Sequence, residues 1–185
     1  MMGSGKSSVA ARLGRMLVRR VVSTDAEVVR RAGKPIARIF AEDGEPAFRA
    51  MERQVVASFS GPCVIDLGGG AFCDPASAAR LLATARVVFL DVSPAEAARR
   101  IGAGHGYKER PLAPGWDSLL ARRLPLYRRA HHTVTVNGLA PEAVARRIFD
   151  LVVGTAAGDK PPPYGIPLPA TDEHLPYGRF AEEDA

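Results

Sequence analysis

The sequence opens Met1-Met2-Gly3-Ser4-Gly5-Lys6-Ser7-Ser8 and runs directly into a stretch with Val9, Leu13, Met16 and Leu17 at helical spacing. Small residues ahead of a helix let successive backbone N–H groups turn inward around phosphate oxygens, while the helix presents its positive end to the same charge. Gly5-Lys6-Ser7 are the last three positions of the phosphate-loop pattern G-x-x-x-x-G-K-[ST]. Lys6 is then expected at the β- and γ-phosphates of a nucleotide and the Ser7 hydroxyl on Mg²⁺, with Gly3, Ser4, Gly5 and Ser8 completing the cradle. The alternative is a Gly/Ser-rich tail that happens to contain Gly-Lys-Ser. The pattern's first glycine would fall one residue before Met1, so the sequence begins inside the motif.

Beyond this first helix, short apolar strands alternate with amphipathic helices. Arg20 to Thr24 reads as a buried strand delivering Asp25 at its carboxyl end, and Pro35 opens a helix carrying Ile36, Ile39 and Phe40 that Gly44 closes. A further helix carries Phe48, Val55, Val56 and Phe59. Cys63 to Leu67 is a second strand running into Gly68-Gly69-Gly70, and a helix restarts at Pro75. Val87 to Asp91 is a third strand, and Ser93-Pro94-Ala95-Glu96 has the form of a capping box. The segment from Gly102 to Gly115 is a glycine- and charge-rich loop. Trp116 to Ala130 is helical, His132 to Val136 a short strand, and Pro141 to Val153 a final helix. This order predicts an α/β fold, a mainly parallel sheet flanked by helices, over residues 1–153. Residues 154–185, rich in Pro, Gly and acids, read as a disordered tail.

Charge narrows the ligand. The last 32 residues carry six acids and two bases, leaving 23 Lys and Arg against 14 Asp and Glu in the rest, a net of +9. That suits an anionic small molecule. The bases are spread over helices without aromatic interleaving, which speaks against nucleic acid as a partner. Two cysteines, Cys63 and Cys73, make no disulfide framework, and no apolar run is long enough to cross a membrane, so a cytoplasmic protein is expected. His131 and His132 lack metal-ligand spacing.

The segments MGSGKSS, STDAEVVRRAGKPIARIFAEDGEPAFRAME, GGG, RPL and RRLPLYRRA together resemble the shikimate kinase family in order and spacing, over roughly Met1 to Val153. The middle segment is the most diagnostic, through Thr24-Asp25, Gly33-Lys34-Pro35-Ile36, Ile39-Phe40, Gly44-Glu45 and Phe48-Arg49. The resemblance implies a P-loop kinase fold, ATP and Mg²⁺ as cofactors, and phosphorylation of the 3-hydroxyl of shikimate, with a monomer expected. It places Asp25 at the substrate hydroxyls as the acid that helps remove a proton. Arg49 and Arg123 fall on the substrate carboxylate, Gly68, Gly69 and Gly70 in the turn that substrate approaches, and Arg110 on a lid over the phosphates. From the residues alone, Asp25 could instead cap a helix and the glycines could form a plain tight turn. Lys108, beside Arg110, reads as a solvated charge.

Three departures from the family pattern stand out. Ser23 occupies the place where the family usually has an Asp that holds Mg²⁺ through water. Val64-Ile65-Asp66 has the form of a Walker B strand, so Asp66 is a candidate for the metal shell, unless its side chain leaves the far side of the strand end. The strand expected ahead of the phosphate loop, central in that family's sheet, is absent from the sequence as given, which predicts exposed apolar edges on its two neighbours and a loss of solubility or activity. Another small-molecule P-loop kinase such as a gluconate kinase, or a catalytically impaired binding protein, are the alternative readings.

Overall fold

The computed structural model describes residues 3–102 and 116–154. Helix α1 (Lys6–Leu17) leads to strand β1 (Arg20–Ser23) and then to α2 (Thr24–Ala32), α3 (Ile36–Glu42) and α4 (Gly44–Ser58). Strand β2 (Cys63–Asp66) is followed by the glycine turn, a short 3₁₀ helix over Ala71–Cys73 and α5 (Pro75–Thr84). Then come β3 (Val88–Asp91), α6 (Pro94–Gly102), α7 (Trp116–Tyr127), β4 (His132–Thr135) and α8 (Pro141–Gly154).

Several boundaries have a visible local cause. The Ser23 hydroxyl accepts from Ala26 N at 3.3 Å and so starts α2. Ser23, and not Asp25, is therefore the N-cap, and Asp25 lies within the first turn. Asp74 caps α5 through Ser77 N at 2.9 Å, with Pro75 supplying a ready-made first-turn φ. Ser93 accepts from Glu96 N at 3.3 Å, as the capping box requires, but the Glu96 carboxylate turns away to Arg99 and Arg100. Gly44 does not close the helix before it: α3 ends at Glu42, and Gly44, at φ 84°, opens α4. The 3₁₀ turn after the glycines has no apolar periodicity in sequence to announce it.

All strand pairing is parallel, in two pairs. β1 lies beside β2 in the register Arg20↔Cys63 to Ser23↔Asp66, and β3 beside β4 from Val88↔His132 to Asp91↔Thr135. The sheet is thus divided, with β1–β2 and β3–β4 as separate two-stranded pieces among the described residues. The phosphate loop sits between the two: Ser7 touches Asp66 at the end of β2, and Gly3 packs on Ala97 of α6, the helix after β3.

One apolar core joins both pairs. Val9 and Leu13 of α1, Val144 and Ile148 of α8, Phe89 and Leu90 of β3 and Val134 of β4 are all buried in it. Arg12 of α1 pairs with Glu142 of α8 at its rim. A second, smaller core is formed by Val28, Ile39, Phe48 and Val55, with the Phe40 and Phe48 rings 4.9 Å apart. That second core fixes α2, α3 and α4 as a unit and thereby the position of Asp25 relative to Arg49.

Candidate active site

Three consecutive glycines follow β2, and side chains from three helices converge on them. A Cβ on Gly68 would run into Asp25 Oδ1 and stand 2.9 Å from Glu52 Oε1. A Cβ on Gly70 would overlap the Arg49 guanidinium. Gly69 is different: Arg123 Nη1 and the Tyr127 hydroxyl lie 3.8 Å from where its Cβ would be, an ordinary contact, and both donate to its carbonyl, at 3.4 and 2.5 Å. Gly70 has an unremarkable φ of −96°, so what its missing side chain provides is room for the guanidinium. The turn is more than a tight bend. It is the surface on which Asp25 of α2, Arg49 of α4 and Arg123 of α7 meet.

Two buried polar groups hold this arrangement. Thr24, fully buried, accepts from Gly68 N at 2.7 Å and ties the start of α2 to the turn. Glu52, 3% exposed, accepts from Arg49 Nη1 at 2.7 Å, while the exposed Glu45 takes Arg49 Nη2 at 2.9 Å. The guanidinium also lies 5.1 Å from the Phe48 ring centroid. Burial works against Arg49's charge, yet pairing with Glu52 and Glu45 raises its pKa. Glu52 moves the other way from what pairing alone would give: burial, helped by the nearby Asp25 charge, pushes its carboxyl up despite Arg49. Pairing prevails at Arg49 and burial at Glu52, because burial and the second carboxylate both weigh on the acid. Burial likewise pushes the Tyr127 phenol up to about 12, so it is a hydrogen-bond donor at any ordinary pH.

The phosphate loop is built as its residues suggest. Gly3 and Gly5 have φ of 69° and 81°, a region side chains rarely adopt, and a Cβ on Gly3 would stand 2.9 Å from Ala97 O. Gly5 O accepts from Val9 N at 3.0 Å as the cap of α1, and Ser4 is buried beneath the loop. Lys6 is the first residue of α1, followed by Ser7 and Ser8 with exposed side chains. The Ser7 hydroxyl donates to Asp66 Oδ2 at 2.6 Å. Asp66 therefore faces the loop, not the far side of the strand end. Arg110 and Lys108 lie outside the described residues.

Beside the loop opens a cavity of about 350 Å³, lined by Gly5, by Glu96, Arg99 and Arg100 of α6, and by the segment from Gly138 to Pro141. Arg100 is fixed there by Glu96 at 2.7 Å and Val136 O at 2.8 Å. Its guanidinium plane is thus held before any ligand arrives. Sequence reasoning misses this cavity, Glu52, Thr24 and Tyr127. Glu52 had a signal, three residues after Arg49 on one helix face; the cavity had none, because its walls come from three segments far apart in the sequence, at Gly5, Glu96 to Arg100 and Gly138 to Pro141.

A family model described as "Shikimate kinase" matches residues 2–153. The chain is 44% identical over 165 residues to a shikimate kinase of Thermobifida fusca (strain YX), covering 85% of this chain and 92% of that protein. It is 43% identical over 158 residues to a shikimate kinase of Mycobacterium tuberculosis (strain CDC 1551 / Oshkosh), covering 80% and 86%. Among solved structures, shikimate kinase from Acinetobacter baumannii in complex with shikimate superposes with a TM-score of 0.74 at 31% identity, over 83% of this chain and 89% of that one. Shikimate kinase from Aquifex aeolicus gives 0.73 at 29% identity, over 86% and 96%.

Proposed function

The chain belongs to the shikimate kinase family, and from that premise we propose which of its residues carry the ATP-dependent phosphorylation of the 3-hydroxyl of shikimate. The observation that supports the assignment best is the convergence of Asp25, Arg123 and Arg49 on the turn Gly68-Gly69-Gly70. Shikimate carries one carboxylate and three hydroxyls, and this surface offers two guanidinium groups and one carboxylate.

The residues fit the cofactors. The positive-φ glycines, the backbone packed too close for a Cβ, and the start of α1 form an anion cradle, and Ser7 offers a hydroxyl oxygen to a cation. Gly3 to Ser8 hold the phosphates of ATP, with Lys6 on the β- and γ-oxygens. The cavity at Arg100 takes the base, a flat ring against a guanidinium held in place. When bound, ATP supplies the γ-phosphoryl group and Mg²⁺ offsets the charge of its oxygens.

Arg49 and Arg123 grip the substrate carboxylate. Glu45 is half exposed and can yield its place on Arg49 to the ligand, while buried Glu52 keeps the guanidinium oriented. Asp25, exposed in the first turn of α2, accepts the proton of the attacking hydroxyl. The glycine turn lets the ring approach the backbone. Arg110, outside the described residues, is assigned from the family resemblance to the charge developing on the transferred group. Residues 1–153 form the catalytic domain. The protein acts in the cytoplasm as a monomer, on small molecules and not on nucleic acid or membrane. Cys63 and Cys73 are both free, and no helix among the described residues is long and apolar enough to cross a membrane.

Arg49→Ala and Arg123→Ala test the assignment. Each is expected to raise KM for shikimate by far more than KM for ATP, since truncating one partner of a buried charge pair costs about 2 to 5 kcal/mol. Asp25→Asn is expected to keep ATP binding and lose about 10²- to 10⁴-fold in kcat. A fall in ATP affinity with unchanged shikimate KM in either arginine variant would refute it.

A further inference from the structure

Parallel pairing puts Ser23 and Asp66 side by side as Cα partners at the carboxyl ends of β1 and β2. Paired residues on neighbouring parallel strands direct their side chains to the same face of the sheet. Their tasks differ. The Ser23 hydroxyl turns to its own helix, accepting from Ala26 N. The Asp66 carboxylate reaches the phosphate loop, where Oδ2 accepts from the Ser7 hydroxyl at 2.6 Å.

That contact has a chemical consequence. A serine hydroxyl has one proton and two lone pairs, so a Ser7 whose proton is committed to a carboxylate presents oxygen lone pairs away from Asp66. A hard cation binds such an oxygen. Mg²⁺ keeps several waters and is held by one or two carboxylates together with substrate phosphates, and a carboxylate next to the ligating hydroxyl is placed to bind those waters. Asp66 ends its strand half-buried beside the loop, close enough to act and still within reach of water.

We propose that Asp66 is the metal-shell carboxylate of this chain, orienting Ser7 and holding the waters of the Mg²⁺ that accompanies the nucleotide. The proposal rests on the reading of Gly3 to Ser8 as the ATP site. It has a structural competitor, in which Asp66 only fixes the Ser7 rotamer. The two separate on charge: Asp66→Asn keeps an acceptor oxygen for Ser7 but removes the negative charge.

The experiment follows Mn²⁺ in place of Mg²⁺, reading free Mn²⁺ by electron paramagnetic resonance as the full chain is titrated with ADP, and reading ADP affinity separately in EDTA. Asp66→Asn and Asp66→Ala are both expected to weaken Mn²⁺ binding to the ADP complex about 10- to 100-fold, as loss of outer-shell ligand partners generally does. Metal-free ADP affinity should stay within about twofold of the parent. Ser23→Asp added to Asp66→Asn should recover much of the lost affinity, because position 23 lies across the register on the same face and Asp also caps a helix. Parent-like Mn²⁺ affinity in Asp66→Asn overturns the proposal and leaves Asp66 a positioning residue. A parent chain that binds ADP without drawing in Mn²⁺ overturns both the proposal and the reading of the ATP site.

Discussion

Gly70→Ala is a one-carbon change whose effect can be worked from the structure. The new Cβ would fall within the Arg49 guanidinium, overlapping one nitrogen and standing 2.9 Å from the other. That guanidinium cannot yield cheaply: it is bound to Glu52, which is only 3% exposed. Overpacking costs about 1 to 3 kcal/mol, and displacing Arg49 from a buried carboxylate adds about 3 to 5 kcal/mol unless Glu52 takes up a proton. The raised pKa of Glu52 makes that proton uptake the easier escape, so the stability loss is expected at the low end, about 2 kcal/mol, while the carboxylate grip is lost outright. KM for shikimate should rise on the order of 30-fold or more, from at least 2 kcal/mol of lost binding, with KM for ATP little changed. Gly69→Ala is the control for stability alone, since its Cβ would find only protein contacts at 3.8 Å. A coupled ADP-release assay at saturating ATP, with urea melts of each variant, checks both. If Gly69→Ala lost as much stability as Gly70→Ala, or if Gly70→Ala kept parental shikimate KM, steric placement of Arg49 by the turn would not be the reason for the glycine at position 70.

Three other outcomes are expected. Val18 ends α1 at φ 51° while 71% exposed, so Val18→Gly should stabilise the protein by about 1 kcal/mol, roughly 2 to 4 °C in Tm; a lower Tm would contradict the reading of strain. Glu52 has a folded pKa above its unfolded value of 4.5, so its ionised form costs stability near neutral pH and the cost is relieved as pH falls through the folded value toward 4.5. Urea midpoints should therefore favour the parent over Glu52→Gln increasingly on acidification, and a change in the opposite sense would show that pairing with Arg49 outweighs burial. Finally, β2 and β3 each have a single strand neighbour among the described residues, with the phosphate loop between their ends. An extended apolar stretch of about 5 to 8 residues ending in Gly, fused ahead of Met1, should dock as a parallel strand and raise Tm on the order of 10 °C, whereas a polar stretch of equal length should not; equal effects would show that no slot lies between the pairs.

What the sequence made legible was local. Gly3 to Ser8 could be read because φ, loop and helix start all depend on neighbouring residues, and the structure builds the loop that way. The resemblance grouped Asp25, Arg49, Arg123 and the three glycines, and these are the residues that the fold gathers. It could not say that the side chains meet the turn at separate glycines, because that matching arises from the packing of α2, α4 and α7 around it. Asp66 is ambiguous in sequence for a single reason, that one residue of register reverses a strand side chain, and the contact with Ser7 resolves it. Gly44 misleads because a glycine between two helical segments can end one or begin the other, and here the next helix starts on it. Glu52 looks in sequence like the solvated member of an i,i+3 pair, since burial is not visible in spacing.

The most direct test is to follow the phosphorus. The folded chain, shown to bind ATP, is incubated with ATP, Mg²⁺ and shikimate and the mixture is read by ³¹P NMR. One phosphomonoester resonance is expected, that of shikimate 3-phosphate, growing in step with ADP and absent when shikimate is left out or when Asp25 is replaced by Asn. ATP that is untouched, or that yields inorganic phosphate at the same rate with and without shikimate, would contradict phosphoryl transfer to shikimate by this chain.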